Sequence, residues 1–154
     1  MARVFVSYPG NPVFKDQQII RVSDLGLAGH LSFDALVSIL NDTAARFFDS
    51  HGIKRGKTGP VGVLHTDLAV SYRSEIFYRD AVLIEAAIDD VKNKGFDLVF
   101  RVTSRSNGKE IAIAKIGVLF YSYAQKKAVP IPDQLLRLVR RIKGGHHVRS
   151  DDLV

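Results

Sequence analysis

The sequence predicts an α+β fold in which an antiparallel sheet wraps around one long central helix, with an amphipathic helix near the C-terminus. Three observations carry this. Apolar residues recur at helical spacing through residues 33–48 and again through 135–142. Runs of β-like sequence fill most of the span between them, and the connections between those runs are too short for crossover helices. The 154 residues, 46% hydrophobic and 25% charged, suit one ordinary domain. We read residues 1–143 as that domain and 144–154 as a loose basic tail.

The stretch from Phe14 to Val22 reads as a strand, with Gln18, Ile20 and Val22 on one parity and Ile19 and Arg21 on the other. After the glycine-rich connector Asp24 to Leu31, the residues Phe33, Leu36, Val37, Leu40, Ala44, Phe47 and Phe48 mark one helical stripe. Ser32 is its N-cap, Asp34 places an acid in the first turn where the helix dipole favours one, and Gly52 stops it. A Gly- and Lys-rich loop, Lys54 to Pro60, leads to four strand-like runs: Val61 to Tyr72, Ala81 to Val91, Phe96 to Ser104 and Glu110 to Tyr123. Turn signals at Arg79-Asp80, Asn93-Lys94-Gly95 and Asn107-Gly108 separate them, the Asn-Gly pair marking a hairpin, and consecutive strands are expected to pair antiparallel. Pro130 and Pro132 end the last strand. Asp133 caps the final helix, whose apolar residues are Leu135, Leu136, Leu138, Val139 and Ile142.

Composition removes several kinds of chemistry. With no cysteine, thiolate metal sites, disulfides and thiol nucleophiles are excluded, so a nucleophile must be oxygen or water. His146 and His147 have no third ligand near them, so no metal is expected. No apolar run reaches the roughly 18 residues of a membrane span, and the first residues lack a basic-then-apolar signal; a soluble, cytoplasmic protein without stable membrane insertion is expected. The net charge is +6, and residues 125–154 hold seven Lys/Arg against three Asp. Such a patch suits a polyanion, including the phosphates of a coenzyme. The strands show no interleaved basic and aromatic residues of an RNA platform, so nucleic acid is not the expected partner.

The stretch Asp24-Leu25-Gly26-Leu27-Ala28-Gly29-His30-Leu31, followed by a helix ending at Phe47-Phe48 and by Gly52, resembles the opening of the hotdog-fold acyl-CoA thioesterases, the 4-hydroxybenzoyl-CoA thioesterase-like branch above all. Tyr72 and Arg79-Asp80 fall where that branch carries a strand tyrosine and a Gly-Asp turn, and the resemblance runs from about Phe14 to Pro132. The branch's catalytic acid corresponds here to Gly26. A second branch, of phenylacetyl-CoA thioesterase type, carries its acid on the central helix in Leu-Ala-Asp-Thr-Ala, which Leu40-Asn41-Asp42-Thr43-Ala44 resembles with one difference. In that branch a backbone N–H eight residues before the acid, here at Asp34, polarises the thioester carbonyl.

The resemblance implies a thioesterase that hydrolyses acyl-CoA to free acid and CoA, with no separate cofactor, as a homodimer or homotetramer with sites shared between subunits and the acyl group in an apolar tunnel between helix and sheet. Thioester hydrolysis needs a polarised carbonyl and an activated water or carboxylate, because negative charge develops on oxygen. The N–H groups of Phe33 and Asp34 are the candidate oxyanion donors, provided the Asp34 side chain points away, and Gly29 would let a ligand approach the main chain. Asp42 is the candidate general base or nucleophile, with Asn41 to orient water or carbonyl. Its alternative is a solvated polar-face residue, since Asp34, Ser38, Asn41, Asp42 and Asp49 sit off the stripe. Asp24 and His30 form an alternative acid/base pair, or simply cap the loop. His65 and Thr66 are candidate site lining, with alternation putting Thr66 beside Leu64 and Leu68, and His65 with Asp67 on the other face. Arg73, Arg101 and Arg105 are the candidate CoA-binding cations. The final helix presents Arg137, Arg140, Arg141 and Lys143 opposite its leucines, either as a wet basic face or for phosphate, carrier-protein or membrane contact. A non-catalytic acyl-CoA binder or sensor is the alternative function, suggested by Gly26 and by Ser32-Phe33. A dehydratase ranks lower because its His-Phe-Pro stretch is absent.

Overall fold

The computed structural model describes residues 1–54 and 59–145, with side chains through Ile142. In chain order the elements are β1 (Phe14–Ile19), a 3-10 turn (Val22–Asp24), α1 (Phe33–Ser50), β2 (Gly62–Tyr72), β3 (Ala81–Asp89), β4 (Gly95–Ser104), β5 (Glu110–Ser122), β6 (Lys127–Ala128) and α2 (Asp133–Gly145). All strand pairs are antiparallel, in the order β1-β3-β4-β5-β2, with β6 paired to the end of β5. The expected α+β architecture is present.

Two hairpins, β3–β4 and β4–β5, pair as consecutive strands should. The turn of the second places Gly108 at φ +71°, a conformation that glycine adopts without a Cβ penalty. The expectation fails for β2 and β3, which lie apart with β4 and β5 between them. Short connections exclude a crossover helix but not a crossing of the sheet end, and the link 73–80 makes that crossing. Leu31 N–H donates to Ile76 O at 2.9 Å, and Ile76 is 2% exposed, so the link closes the core beneath it.

The wrapped helix follows from two matching periodicities. Leu36, Leu40, Ala44, Phe47 and Phe48 are fully buried on α1, facing Phe96, Leu98, Phe100 and Val102 of β4 and Ala112, Ala114, Ile116, Val118 and Phe120 of β5. An aromatic chain crosses this interface, with ring centroids 6.3 Å apart for Phe48–Phe120 and 5.7 Å for Phe96–Phe120. Phe33, read as part of the stripe, is instead 74% exposed, and Ile39 is buried in the core. At the first helical position a side chain has no preceding turn to lie on, so Phe33 projects outward.

The outer face of the sheet is also covered, which the sequence reading missed. Val6 packs on Val99 and Ile113, joined by Tyr8, and Val13 N–H donates to Ala86 O at 2.8 Å. Leu135 and Val139 of α2 join the main core while Arg137, Arg140 and Arg141 are exposed, as the amphipathic pattern expects. The first two residues of the expected tail, Gly144 and Gly145, continue the helix, and His146, His147 and the residues after them lie outside the described residues. Among the described residues no helix is long and apolar enough to cross a membrane.

Candidate active site

The connector and the start of α1 form one hydrogen-bonded unit. Ser32 caps the helix, its hydroxyl accepting from Ala35 N–H at 3.4 Å and donating to Asp24 O at 3.3 Å. The Ser32 carbonyl accepts from the Tyr72 hydroxyl at 3.0 Å, and burial, aided by the Asp34 charge, pushes the Tyr72 phenol up to about 12, so it remains a donor. Gly29 sits at φ +82°, with open space where a Cβ would stand. The backbone of α1 therefore begins in an accessible, rigidly held corner.

The Asp34 side chain does not point away from this corner as the oxyanion reading requires. The Ser32 hydroxyl and the N–H of Ala35 beside it hold its carboxyl below the usual range, so the carboxylate itself leans over the helix N-terminus. It is a solvent-exposed group with nothing packed on it.

Asp24 and His30 take different partners. Asp24 is 6% exposed and accepts from the Arg21 N–H at 2.8 Å, closing the 3-10 turn. His30 turns Nε2 toward Glu75 at 3.8 Å and Nδ1 toward the Leu31 carbonyl at 3.2 Å. Gly26, at the position of the missing acid, would accept a Cβ at ordinary contact distance from Ser32, 3.4 Å.

The polar face of α1 opens onto hollows on two sides. On the β2 side Val37, Ser38 and Asn41 face His65, Thr66, Asp67, Leu68 and Ile116 across about 360 Å³. Strict alternation fails here because β2 shifts register between His65 and Leu68. All four residues from His65 to Leu68 are exposed and line this hollow, correcting the placement of Thr66 and His65 on opposite faces. Lys115 holds the bulge, donating to Asp67 at 2.5 Å and lowering that carboxyl, with Asp97 as its second partner at 3.2 Å. Opposite stands Gly117, where a Cβ would collide with the Thr66 hydroxyl and the Asp67 carboxylate. The hollow runs along the helix flank; the expected tunnel between helix and sheet is filled by the fully buried α1 side chains.

On the β1 side Asp42 and Ser38 border a hollow of about 750 Å³ with Gln17, Gln18, Ile19, Arg21, Asp24, Ile39 and Arg46. The Asp42 side chain is 49% exposed. Gln18 Nε2 donates to its Oδ2 at 3.1 Å, and Arg46 reaches the same oxygen at 2.9 Å. Asp42 therefore lies on the accessible face of α1, two turns beyond the start of the helix. The sequence reading missed Gln18 and Arg46, although the Asp42–Arg46 spacing of four was a legible ion-pair signal.

The three arginines separate. Arg101 lies on the outer face, opposite α1, bound to Glu85 at 2.6 Å and stacked over Tyr8 with its guanidinium 4.9 Å from the ring centroid. It lies apart from the other two, already engaged by Glu85. Arg73, 4.0 Å from Glu110, and the exposed Arg105 lie at the sheet end that carries the start of α1.

Comparison with known proteins agrees with this architecture. The chain superposes on Slr0204, a 1,4-dihydroxy-2-naphthoyl-CoA thioesterase from Synechocystis, with TM-score 0.73 and 12% identity over 86% of this chain and 98% of that one. SAV2348 from Staphylococcus aureus, solved in complex with CoA, gives 0.77 and 16% over 94% and 92%. A mutant 4-hydroxybenzoyl-CoA thioesterase, solved with 4-hydroxybenzoyl-CoA, gives 0.71 and 18% over 81% and 96%. These likenesses establish the hotdog fold. No curated protein gives a significant sequence match. The profile of the thioesterase-like superfamily matches residues 20–139, which span the connector, α1, the sheet from β2 to β6 and the start of α2, and the chain belongs to that superfamily.

Proposed function

We propose that this protein hydrolyses an acyl-CoA thioester to free acid and CoA, with Asp42 as general base. The observation that carries the reading is a half-exposed carboxylate, Asp42, two turns along the helix whose first N–H groups belong to Phe33 and Asp34. The Phe33 and Asp34 N–H groups polarise the thioester carbonyl. Asp42 takes a proton from water as the water oxygen adds to the carbonyl carbon. Collapse of the tetrahedral intermediate expels the sulfur with the C–S electron pair, and the proton held on Asp42 passes to it, leaving acid and thiol. Asn41, with His65 and Thr66 across the β2-side hollow, lines the space for the acyl group. Arg73 and Arg105 are the cations placed for the nucleotide phosphates.

The reading includes assembly as a homodimer or homotetramer. Among the described residues β2 is a sheet edge with its outer side unpaired, and the bulge at its centre borders the β2-side hollow, so a second copy added there would wall the site.

Thiol release from short, medium, long and aromatic acyl-CoAs tests the function and identifies the acyl class. Turnover of one class is expected. If none is hydrolysed while some raise the melting temperature, the protein is an acyl-CoA binder or sensor.

Asp34 provides a separate check on the oxyanion site. Its carboxylate opposes negative charge at the N–H groups it leans over. Asp34→Asn is therefore expected to raise kcat about two- to fivefold, the size of a helix-end charge effect. An unchanged or lower kcat would place the oxyanion elsewhere.

A further inference from the structure

Asp16 on β1 is a nearly buried carboxylate, its side chain 10% exposed, that hydrolysis at Asp42 does not touch. Its Oδ1 accepts from Gln17 N–H at 2.9 Å and Arg46 at 3.2 Å. Its Oδ2 accepts from the Thr43 hydroxyl at 3.0 Å and Gln18 Nε2 at 3.4 Å. Thr43 is fully buried on α1, so this carboxylate ties the edge strand to the middle of the helix. A strand face turned toward a helix normally presents apolar side chains, yet here Asp16 and Gln18 point inward. The polar inner face needs a reason beyond packing, since an ordered buried carboxylate is costly unless well bonded.

The geometry supplies that reason. Gln18 and Arg46, both held by Asp16, also both contact Asp42, and both do so at Oδ2. We propose that Asp16, Gln18 and Arg46 form a bracket that positions Asp42, fixing Oδ2 so that Oδ1 receives the proton from water. This rests on the general-base reading of Asp42. Other charges around the carboxylate do not replace Arg46: Arg21 and Asp24, which border the same hollow, are paired with each other at 3.5 Å, and Asp16 is itself negative. Without Arg46, Asp42 would face a net negative neighbourhood.

The test is kcat and KM for acyl-CoA hydrolysis, read separately, in wild type, Arg46→Met, Arg46→Lys and Gln18→Leu, with melting temperatures recorded for each. Arg46→Met and Gln18→Leu each remove a contact at Oδ2 of Asp42 and are expected to lower kcat several-fold with KM little changed. Arg46→Lys, which keeps a donor at that oxygen, should restore part of the loss. Wild-type kcat in both Arg46→Met and Gln18→Leu, in an enzyme that Asp42→Asn inactivates, would overturn the bracket while sparing the general base. Full activity in Asp42→Asn would remove the general base, and the bracket with it.

Discussion

Asp42→Asn is expected to lower kcat for acyl-CoA hydrolysis by at least about 100-fold, the lower end of what a positioned general base contributes. Asparagine keeps an oxygen that can accept from Gln18 and Arg46, so the side chain can hold its place while losing its ability to take a proton. The accompanying loss of stability should be small. The Asp42–Arg46 pair is half exposed on both sides, and such helix-surface pairs contribute about 0.3–0.5 kcal/mol. A large kinetic loss with an almost unchanged melting temperature is therefore the signature. A parallel fall in both would mean that the residue supports the fold rather than the chemistry.

The largest loss of stability is expected from Phe120→Ala, about 3–5 kcal/mol for a buried aromatic truncated to a methyl. Phe120 is fully buried at the end of β5, with Phe48 of α1 and Phe96 of β4 at its ring. Its removal opens a cavity where helix and two strands meet, and the rigid rings around it cannot collapse to fill the space. Urea unfolding measures the effect directly, as a lower midpoint at similar m-value. A loss below about 1 kcal/mol would show that the aromatic chain does not join helix to sheet as described.

Much of this fold was legible because its periods are clean. The spacing of Leu36, Leu40, Ala44, Phe47 and Phe48 shows a helix buried on one face, and Asn107-Gly108 marks a hairpin where one stands. The order of strands was not legible from connection lengths alone. The link 73–80 gains its stability from nonlocal contacts, Ile76 against Leu31, that no local pattern announces. The outer-face cover by Val6 and Tyr8 was missed for the same reason, since an extended segment has no period of its own. At the site, the helix position of Asp42 and the N-cap role of Ser32 could be read from spacing. The bulge at His65–Leu68 could not, because a register shift depends on the partner strand, where Gly117 makes room for it. Arg101 illustrates the limit most simply: its charge was visible in the sequence, but the Glu85 that engages it lies on the neighbouring strand.

We place the chemistry on α1 rather than in the glycine connector. Thiol release by Asp24→Asn and Asp42→Asn, measured side by side on the preferred acyl-CoA with wild type as reference, tests it most directly. Asp24→Asn is expected to lower the melting temperature, because it weakens the cap on the Arg21 N–H, while kcat stays within a few-fold of wild type. Asp42→Asn should instead lose kcat. The reverse, with Asp24→Asn folded and inactive and Asp42→Asn fully active, would contradict the account and move the catalytic acid into the loop beside His30.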